Sequence, residues 1–278
     1  MEQINNLIHV QDTKNLTKDD YEKDGLIYCG KCHTPKQKIL NYAGTQRNVN
    51  CMCQCESEEY DRQIEEERQR ERQEKVNKLK LNSLMGERYA NASFDTCQLE
   101  NESFKKAFER CRNYCINSKE VLQNGYGIYL WGSCGTGKTH LMACMCNELM
   151  NQLKQCIFTN FFDISKSIRA TFSGGDTEEN LINKITNCDF LFIDDLGTEV
   201  LRKGNDDTWL QEKIYDIINK RYNAKKPTVF TSNYSFSELI NDRGMMIKSV
   251  DRIVEMSNAV IKLEGNSYRK KVNKQIPF

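Results

Sequence analysis

The sequence predicts an α/β fold with a central parallel sheet, and three adjoining stretches support this class. Gly127–Trp131 is an apolar run typical of a buried strand, and residues 140–150 carry apolar side chains at helical spacing. Between them, residues 132–139 read Gly-Ser-Cys-Gly-Thr-Gly-Lys-Thr. A glycine-rich turn between a buried strand and a helix is typical of α/β proteins that bind phosphate groups.

The spacing G-x-x-x-x-G-K-T also predicts the chemistry of this turn. Its glycines let backbone N–H groups turn inward around phosphate oxygens, and the helix that follows adds partial positive charge. We expect Lys138 to reach the β- and γ-phosphates of ATP and the Thr139 hydroxyl to ligate Mg²⁺. The predicted nucleotide contacts are Gly132, Ser133, Cys134, Gly135, Thr136, Gly137, Lys138 and Thr139.

Two carboxylates follow a second apolar run, Phe190 to Ile193. In this position we expect Asp194 to hold Mg²⁺, directly or through water, and Asp195 to orient or deprotonate the attacking water. Most ATPases of this kind carry a glutamate in the second place, so the shorter Asp195 favours slower or partner-dependent hydrolysis. The alternative is a strand end with two solvated carboxylates.

A further buried strand is expected over residues 227–233, with Asn233 at its carboxyl end. Because the carboxyl ends of parallel strands face the ligand, Asn233 is placed to polarise the attacking water or touch the γ-phosphate. The alternative is an asparagine that only serves a turn.

Cysteines cluster in the N-terminal part of the chain. A C-x-x-C pair at Cys29 and Cys32 is followed by Cys51, Cys53 and Cys55. Four thiolates around Zn²⁺ would stabilise a segment that is too short to fold on an apolar core. We predict Cys29, Cys32, Cys53 and Cys55 as the zinc ligands, with Cys51 as the substitute; reduced surface cysteines are the alternative.

The remaining elements follow in order along the chain. A short helix is expected within residues 1–25, and a hairpin turns near Gly44. Residues 56–83 are strong helix formers with opposite charges four apart, which predicts a solvated helical linker. The predicted domains are thus 1–55, 56–83 and 84–278.

Within the last domain, we expect helices over 163–172, 205–222 and 246–256 and a strand over 259–263. We also expect capping boxes at Asp176–Glu179 and Ser235–Glu238.

Net charge, apolar runs and cysteine content limit which functions the sequence predicts. The 278 residues carry a formal net charge of +1, which gives no bulk electrostatic argument for nucleic acid. No apolar run reaches membrane-spanning length, and the first residues lack the order of a signal peptide. We therefore expect a cytoplasmic protein without a membrane partner, in which the 13 cysteines are thiols or metal ligands.

Five motifs resemble those of the AAA+ helicase loaders of the DnaC/DnaI type, over most of 84–278. They read GSCGTGKTH, FLFIDDLG, TVFTSNYS, SVDRIVEM and GNSYR. The cysteine spacing resembles their zinc-bearing N-terminal region. The resemblance implies an AAA+ P-loop ATPase with a reduced lid. It makes Asn233 the first sensor, Arg252 an arginine finger acting in trans, and Arg269 a candidate second sensor.

The resemblance also implies contacts with single-stranded DNA, through the helix that follows the second strand of the sheet. Phe161, Phe162, Lys166 and Arg169 are the candidates there, since basic and aromatic side chains suit backbone charge and base stacking. The alternative is an ordinary surface helix.

The predicted function is ATP-dependent loading of a hexameric replicative DNA helicase onto single-stranded DNA at replication initiation. The zinc module would grip the helicase, and the AAA+ domain would self-associate. One alternative is an IstB-type ATPase helper of a DNA transposase, against which the zinc module argues. Another is a non-enzymatic zinc adaptor, which the intact set of Lys138, Thr139, Asp194, Asp195 and Asn233 opposes.

Overall fold

The computed structural model describes residues 17–42, 44–99, 101–171, 177–198, 208–265 and 267. The chain divides into two compact units, with the boundary between Glu74 and Lys75. The predicted linker, residues 56–83, spans this boundary.

The N-terminal unit contains two antiparallel hairpins. Strand β1 (Tyr21–Lys23) pairs with β2 (Leu26–Tyr28), and β3 (Gln37–Tyr42) pairs with β4 (Thr45–Asn50). The second hairpin confirms the predicted turn near Gly44. Residues 21–23 are a strand, and residues 1–16, which hold most of the stretch where a short helix is predicted, lie outside the described part of the chain.

A long helix, α1 (Gln54–Asn82), follows the hairpins and confirms that the charged stretch is helical. Cys53 precedes it, and the Cys53 N–H donates to Oε2 of Glu56 at 3.2 Å, which satisfies one free amide of the helix start. Lys36 lies buried between two carboxylates, 2.9 Å from Oδ2 of Asp20 and 2.9 Å from Oε1 of Glu56. This triad joins the hairpin region to the first turn of α1.

The C-terminal unit is built on a five-stranded, all-parallel sheet with strand order β6-β7-β8-β5-β9. The strands are β5 (Gly127–Trp131), β6 (Cys156–Thr159), β7 (Phe190–Leu196), β8 (Thr228–Ser232) and β9 (Ser257–Lys262). The helices are α2 (Glu102–Ile116), α3 (Ser118–Asn124), α4 (Lys138–Asn151), α5 (Phe161–Thr171), α6 (Glu178–Asn187), α7 (Thr208–Asn223), α8 (Phe236–Asn241) and α9 (Ile247–Met256).

Helices cover both faces of this sheet, which confirms the predicted α/β class. One core joins α2 and α4 to strand side chains such as Leu130 and Phe192. The other joins α5, α6, α7 and α9 to strand side chains such as Tyr129 and Ile193. Neighbouring residues of one strand enter opposite cores because successive side chains point to opposite faces. A sheet buried on both faces reads as the continuous apolar runs seen in the sequence.

The helix caps test two predictions. Ser235 and Glu238 form the predicted capping box of α8. The N-cap of α6 is Thr177, whose hydroxyl accepts from the Asn180 N–H at 3.2 Å, so the Asp176–Glu179 box is wrong. Asp176 itself lies outside the described residues.

A fully buried arginine fixes the amino-terminal edge of the sheet. The Arg221 guanidinium donates to the carbonyl oxygens of Thr186 and Cys188, both at 3.0 Å, and to that of Pro227 at 2.6 Å. It also donates to Oγ1 of Thr228 at 2.9 Å. Arg221 thereby ties the turn before β7 to the turn before β8.

Among the described residues, every helix is too short or too polar to cross a membrane.

Candidate functional site

The predicted nucleotide residues meet at the carboxyl ends of three adjacent strands. The glycine-rich loop, residues 132–137, follows β5, the two carboxylates end β7, and Asn233 follows β8. Since β7, β8 and β5 are neighbours and parallel, their ends form one crevice. Segments nearly 100 residues apart in sequence therefore contribute to one site.

Within this crevice, Lys138 is buried, and its partners include two backbone carbonyls and one side chain. Its ammonium donates to the carbonyls of Gly132 at 2.7 Å and Ser133 at 2.9 Å, and to Oδ1 of Asn233 at 2.9 Å. The lysine is thus folded back onto its own loop and joined to the end of β8.

Asp194 faces the start of α4. Its Oδ1 accepts from the Thr139 hydroxyl at 2.9 Å and from the Thr231 hydroxyl at 2.5 Å. Burial raises the pKa of Asp194, and the nearby charge of Asp195 raises it further, while both hydroxyls oppose the shift. A hydroxyl beside a carboxylate is an oxygen set of the kind that Mg²⁺ binds, so these two residues fit the ion.

A β-bulge aims the two carboxylates. Ile193 pairs with Phe230 and Leu196 pairs with Ser232, so Asp194 and Asp195 together lie opposite Thr231 alone. The Thr231 hydroxyl also accepts the Asp195 N–H at 2.9 Å. Asp195 has φ of 52°, a left-handed conformation that aspartate tolerates better than most residues.

Thr231 was not among the residues predicted for the site. The available signal was the alternation of side chains along β8, because Thr231 lies on the same face of the strand as Asn233.

A cavity of about 240 Å³ opens in front of the loop. The predicted residues Lys138, Thr139, Asp195 and Asn233 line it together with three that were not predicted, Arg88, Tyr89 and His140. No sequence motif marks Arg88 and Tyr89, since they lie in an irregular segment before α2.

Asn147 of α4 anchors that segment. Its buried amide donates to the carbonyls of Tyr89 at 2.9 Å and Ala92 at 2.8 Å. The segment is therefore tied to the same helix that begins at the glycine-rich loop.

All three glycines of the loop have a positive φ: 136° at Gly132, 82° at Gly135 and 95° at Gly137. A Cβ added at Gly135 would lie 2.1 Å from Oγ of Ser267. A side chain at position 135 would strain the backbone and collide with Ser267, so glycine is favoured there.

Arg252 lies apart from this cavity. Its guanidinium lies over the Tyr222 ring, 4.4 Å from the centroid, and 3.1 Å from Oε2 of Glu255. Glu255 precedes β9, so this cluster lies toward the amino ends of the strands, opposite the loop. Arg252 does not line the cavity in front of the loop of its own chain. Arg269 lies outside the described residues.

The structure contradicts one predicted DNA contact. Helix α5 begins at Phe161, which is 1% exposed and shares the buried face with Ile164 and Ile168. The neighbouring Phe162 is 68% exposed. It shares a solvent-facing side with the exposed Lys166 and Arg169, at positions i, i+4 and i+7.

In the N-terminal unit, the ligand atoms of Cys29, Cys32, Cys53 and Cys55 all lie within 4.8 Å of one another. The Cys55 sulfur is 3.6 Å from that of Cys29 and 3.3 Å from that of Cys53. A hydrogen bond with the Thr34 hydroxyl lowers the pKa of Cys32 to about 5, which favours a thiolate. These four sulfurs fit a tetrahedral soft metal ion.

Cys51, the substitute ligand, lies outside this group. Its thiol donates instead to the Pro35 carbonyl at 3.6 Å, and burial raises its pKa.

With the geometry established, comparison with known proteins identifies the family. The family of IstB-like ATP binding proteins matches residues 57–276. The chain belongs to this family. Members bind ATP on an AAA+ core, and this IstB-like ATP binding protein has the loop, the paired carboxylates and the parallel sheet expected of one.

Among curated proteins, this IstB-like protein is similar to "Replicative helicase loader DnaC" from two bacteria. It is 28% identical to that of Buchnera aphidicola subsp. Baizongia pistaciae over 210 residues, covering 72% of this chain and 80% of the relative. It is 29% identical to that of Escherichia coli strain K12 over 185 residues, covering 66% and 71%.

Among solved structures, the crystal structure of the DnaC helicase loader matches with 31% identity and a TM-score of 0.52. The match covers 64% of this chain and 100% of that one. The predicted resemblance to DnaC-type loaders is confirmed.

Proposed function

We propose that this protein uses ATP to load a hexameric replicative DNA helicase onto single-stranded DNA at replication initiation. The observation that carries the proposal is the convergence of Lys138, Thr139, Asp194 and Asn233 in one crevice of a chain similar to replicative helicase loaders. Because the similar curated proteins bear the name of helicase loader, a transposase helper is not favoured.

In this proposal the loop amides and Lys138 bind the triphosphate. Thr139 and Asp194 would hold Mg²⁺, which would neutralise charge on the phosphate oxygens. Asp195, aimed by the bulge, orients the attacking water or removes its proton, and Asn233 positions the same water. Lys138 must leave the carbonyls that now hold it in order to reach phosphate.

Arg252 acts in trans when copies of the chain associate. Its side chain is 34% exposed and lies opposite its own loop, so it is available to a neighbour rather than to its own nucleotide. The charge that it adds to a neighbour's site would make hydrolysis depend on assembly.

The exposed side of α5 contacts single-stranded DNA. Lys166 and Arg169 supply positive charge for phosphates and Phe162 supplies a ring for stacking. The N-terminal unit, with Zn²⁺ held by Cys29, Cys32, Cys53 and Cys55, binds the helicase.

The proposal is tested with the full chain and its host's replicative helicase on a single-stranded circle. Helicase bound to the circle is measured after removal of free protein. The wild type with ATP should raise the bound helicase well above the level without the protein, and Lys138→Ala should not. Unaltered loading by Lys138→Ala would contradict an ATP-dependent loader.

Arg252→Ala provides the matched test of the role in trans. Alone, it should bind ATP with wild-type affinity and hydrolyse it slowly. Mixed with Lys138→Ala, which keeps Arg252, it should regain part of its hydrolysis. Weakened ATP binding by Arg252→Ala would instead indicate a structural role.

A further inference from the structure

A second group of metal-ligating side chains lies in the C-terminal unit, beside the nucleotide cavity. It consists of Cys97, His140 and Cys144, whose ligand atoms all lie within 4.8 Å of one another. The sulfurs of Cys97 and Cys144 are 3.8 Å apart. Two sulfurs bound to one tetrahedral zinc ion, with Zn–S bonds of about 2.3 Å, lie about 3.8 Å apart. The spacing therefore fits shared ligation without movement of the backbone.

Two different elements bring these ligands together. His140 and Cys144 are four residues apart on α4 and share one face of that helix. Cys97 follows a short 3-10 turn, Phe94–Thr96, which Asp95 and Ser93 close at its start. An ion bound to all three side chains would tie this turn to α4.

Solvent access completes the site. Cys144 is buried, whereas Cys97 and His140 are partly exposed. Cys97 and His140 also line a small cavity of about 190 Å³ with Thr96, Gln98, Phe104 and Gly137. Three protein ligands with an open fourth position is an arrangement that zinc adopts with water or a further ligand.

We propose that Cys97, His140 and Cys144 form a second metal site, of the zinc class, next to the nucleotide cavity. Thiolate and imidazole ligands select a soft ion, so this site does not compete with the oxygen ligands Thr139 and Asp194 for Mg²⁺. His140 lines both cavities, and it follows Thr139 directly in α4. The ion would therefore hold the turn beside the smaller cavity against the helix that starts at the glycine-rich loop.

The test counts metal in the full chain. Protein stripped with chelator is titrated with Co²⁺, and the visible bands of thiolate-bound Co²⁺ are recorded. Cys97→Ser and His140→Asn should each bind about one equivalent fewer per chain than the wild type. Both positions are partly exposed, so both variants should keep the wild-type circular dichroism spectrum.

The matched control is Cys51→Ser, which removes a partly exposed thiol outside both cysteine groups and should leave the count unchanged. The double variant Cys32→Ser/Cys55→Ser should retain one equivalent, with the bands of a site holding two sulfurs. A count that Cys97→Ser and His140→Asn leave unchanged would overturn the proposal. The proposal would also be overturned if the purified protein contained a Cys97–Cys144 disulfide and these residues bound no Co²⁺ after the disulfide was reduced. Because metal is counted without nucleotide, these results do not depend on the proposed loading activity.

Discussion

The ammonium of Lys138, at the start of α4, lies 2.9 Å from Oδ1 of Asn233, which follows β8. The lysine that we expect to bind phosphate is thus linked to the residue that we expect to position water. Exchange of the Asn233 partner for a phosphate oxygen would couple nucleotide binding to the end of β8.

Asn233→Ala should separate binding from catalysis. Loss of one of its acceptors weakens the hold on Lys138, so ATP affinity should be kept or rise slightly. The rate of hydrolysis should fall by about 10- to 1,000-fold, the range for loss of one positioned polar group in a transition state. Fluorescent-nucleotide titration and phosphate release measure the two quantities. Asn241→Ala, at the exposed end of α8, is the control, and equal hydrolysis by both variants would contradict the role.

Asp194→Asn should stabilise the nucleotide-free protein at neutral pH. The folded-state pKa of Asp194 is raised by burial above its ordinary value of 3.8, so the charged form costs stability above that raised value. An asparagine keeps the Oδ1 acceptor without the charge, and we expect a gain of roughly 1 kcal/mol together with loss of hydrolysis.

The expected difference in stability between Asp194→Asn and the wild type depends on pH. Because the penalty disappears when the carboxyl group is protonated, the two proteins should converge as pH falls toward 4. Thermal unfolding from pH 4 to 8 measures the difference in stability, with Asp251→Asn on the exposed side of α9 as the control. A lower unfolding midpoint for Asp194→Asn at pH 8 would show that the carboxylate stabilises the fold.

Arg221→Met should destabilise the C-terminal unit strongly. The change leaves several buried carbonyls without a donor, at about 1–3 kcal/mol for each group left unsatisfied, so we expect a loss of roughly 3 kcal/mol or more. Chemical denaturation measures the free energy of unfolding. Arg110→Met, on the exposed side of α2, should change it by less than about 0.5 kcal/mol. Similar values for both variants would mean that water replaces the guanidinium.

Cys55→Ser and Cys51→Ser distinguish the ligands of the N-terminal unit. Only the first removes a sulfur from the group of four, so it should lower bound zinc by about one equivalent per chain. Cys51→Ser should retain the ion. Elemental analysis of the purified proteins measures zinc. Loss of the ion from Cys51→Ser, or its retention by Cys55→Ser, would reassign the ligands.

Charge and stacking on α5 should have different salt signatures. Lys166→Ala/Arg169→Ala should weaken binding to single-stranded DNA and flatten its salt dependence, because fewer counterions are released. Phe162→Ala should weaken binding by about 1–3 kcal/mol without changing that slope. The control, Lys105→Ala/Lys106→Ala on α2, removes the same charge elsewhere. An equal effect of the control would show that the charges act only through the net charge.

The sequence by itself determined the parts of this protein whose chemistry is local. The loop at 132–139, the carboxylates after an apolar run and the paired cysteines each combine residue types that one short segment must supply together. Periodicity likewise fixed which runs are strands and which are helices, because burial on both faces of the sheet leaves continuous apolar stretches.

Only the tertiary structure decided which distant side chains meet. It placed Thr231 against both carboxylates, brought Arg88 and Tyr89 to the cavity, and separated Cys51 from the other four thiols. It also turned Phe161 inward, because α5 begins two residues earlier than its sequence pattern predicted. The physical reason is that contacts across strands and the phase of a helix depend on register and on where each element starts, and no single segment encodes these.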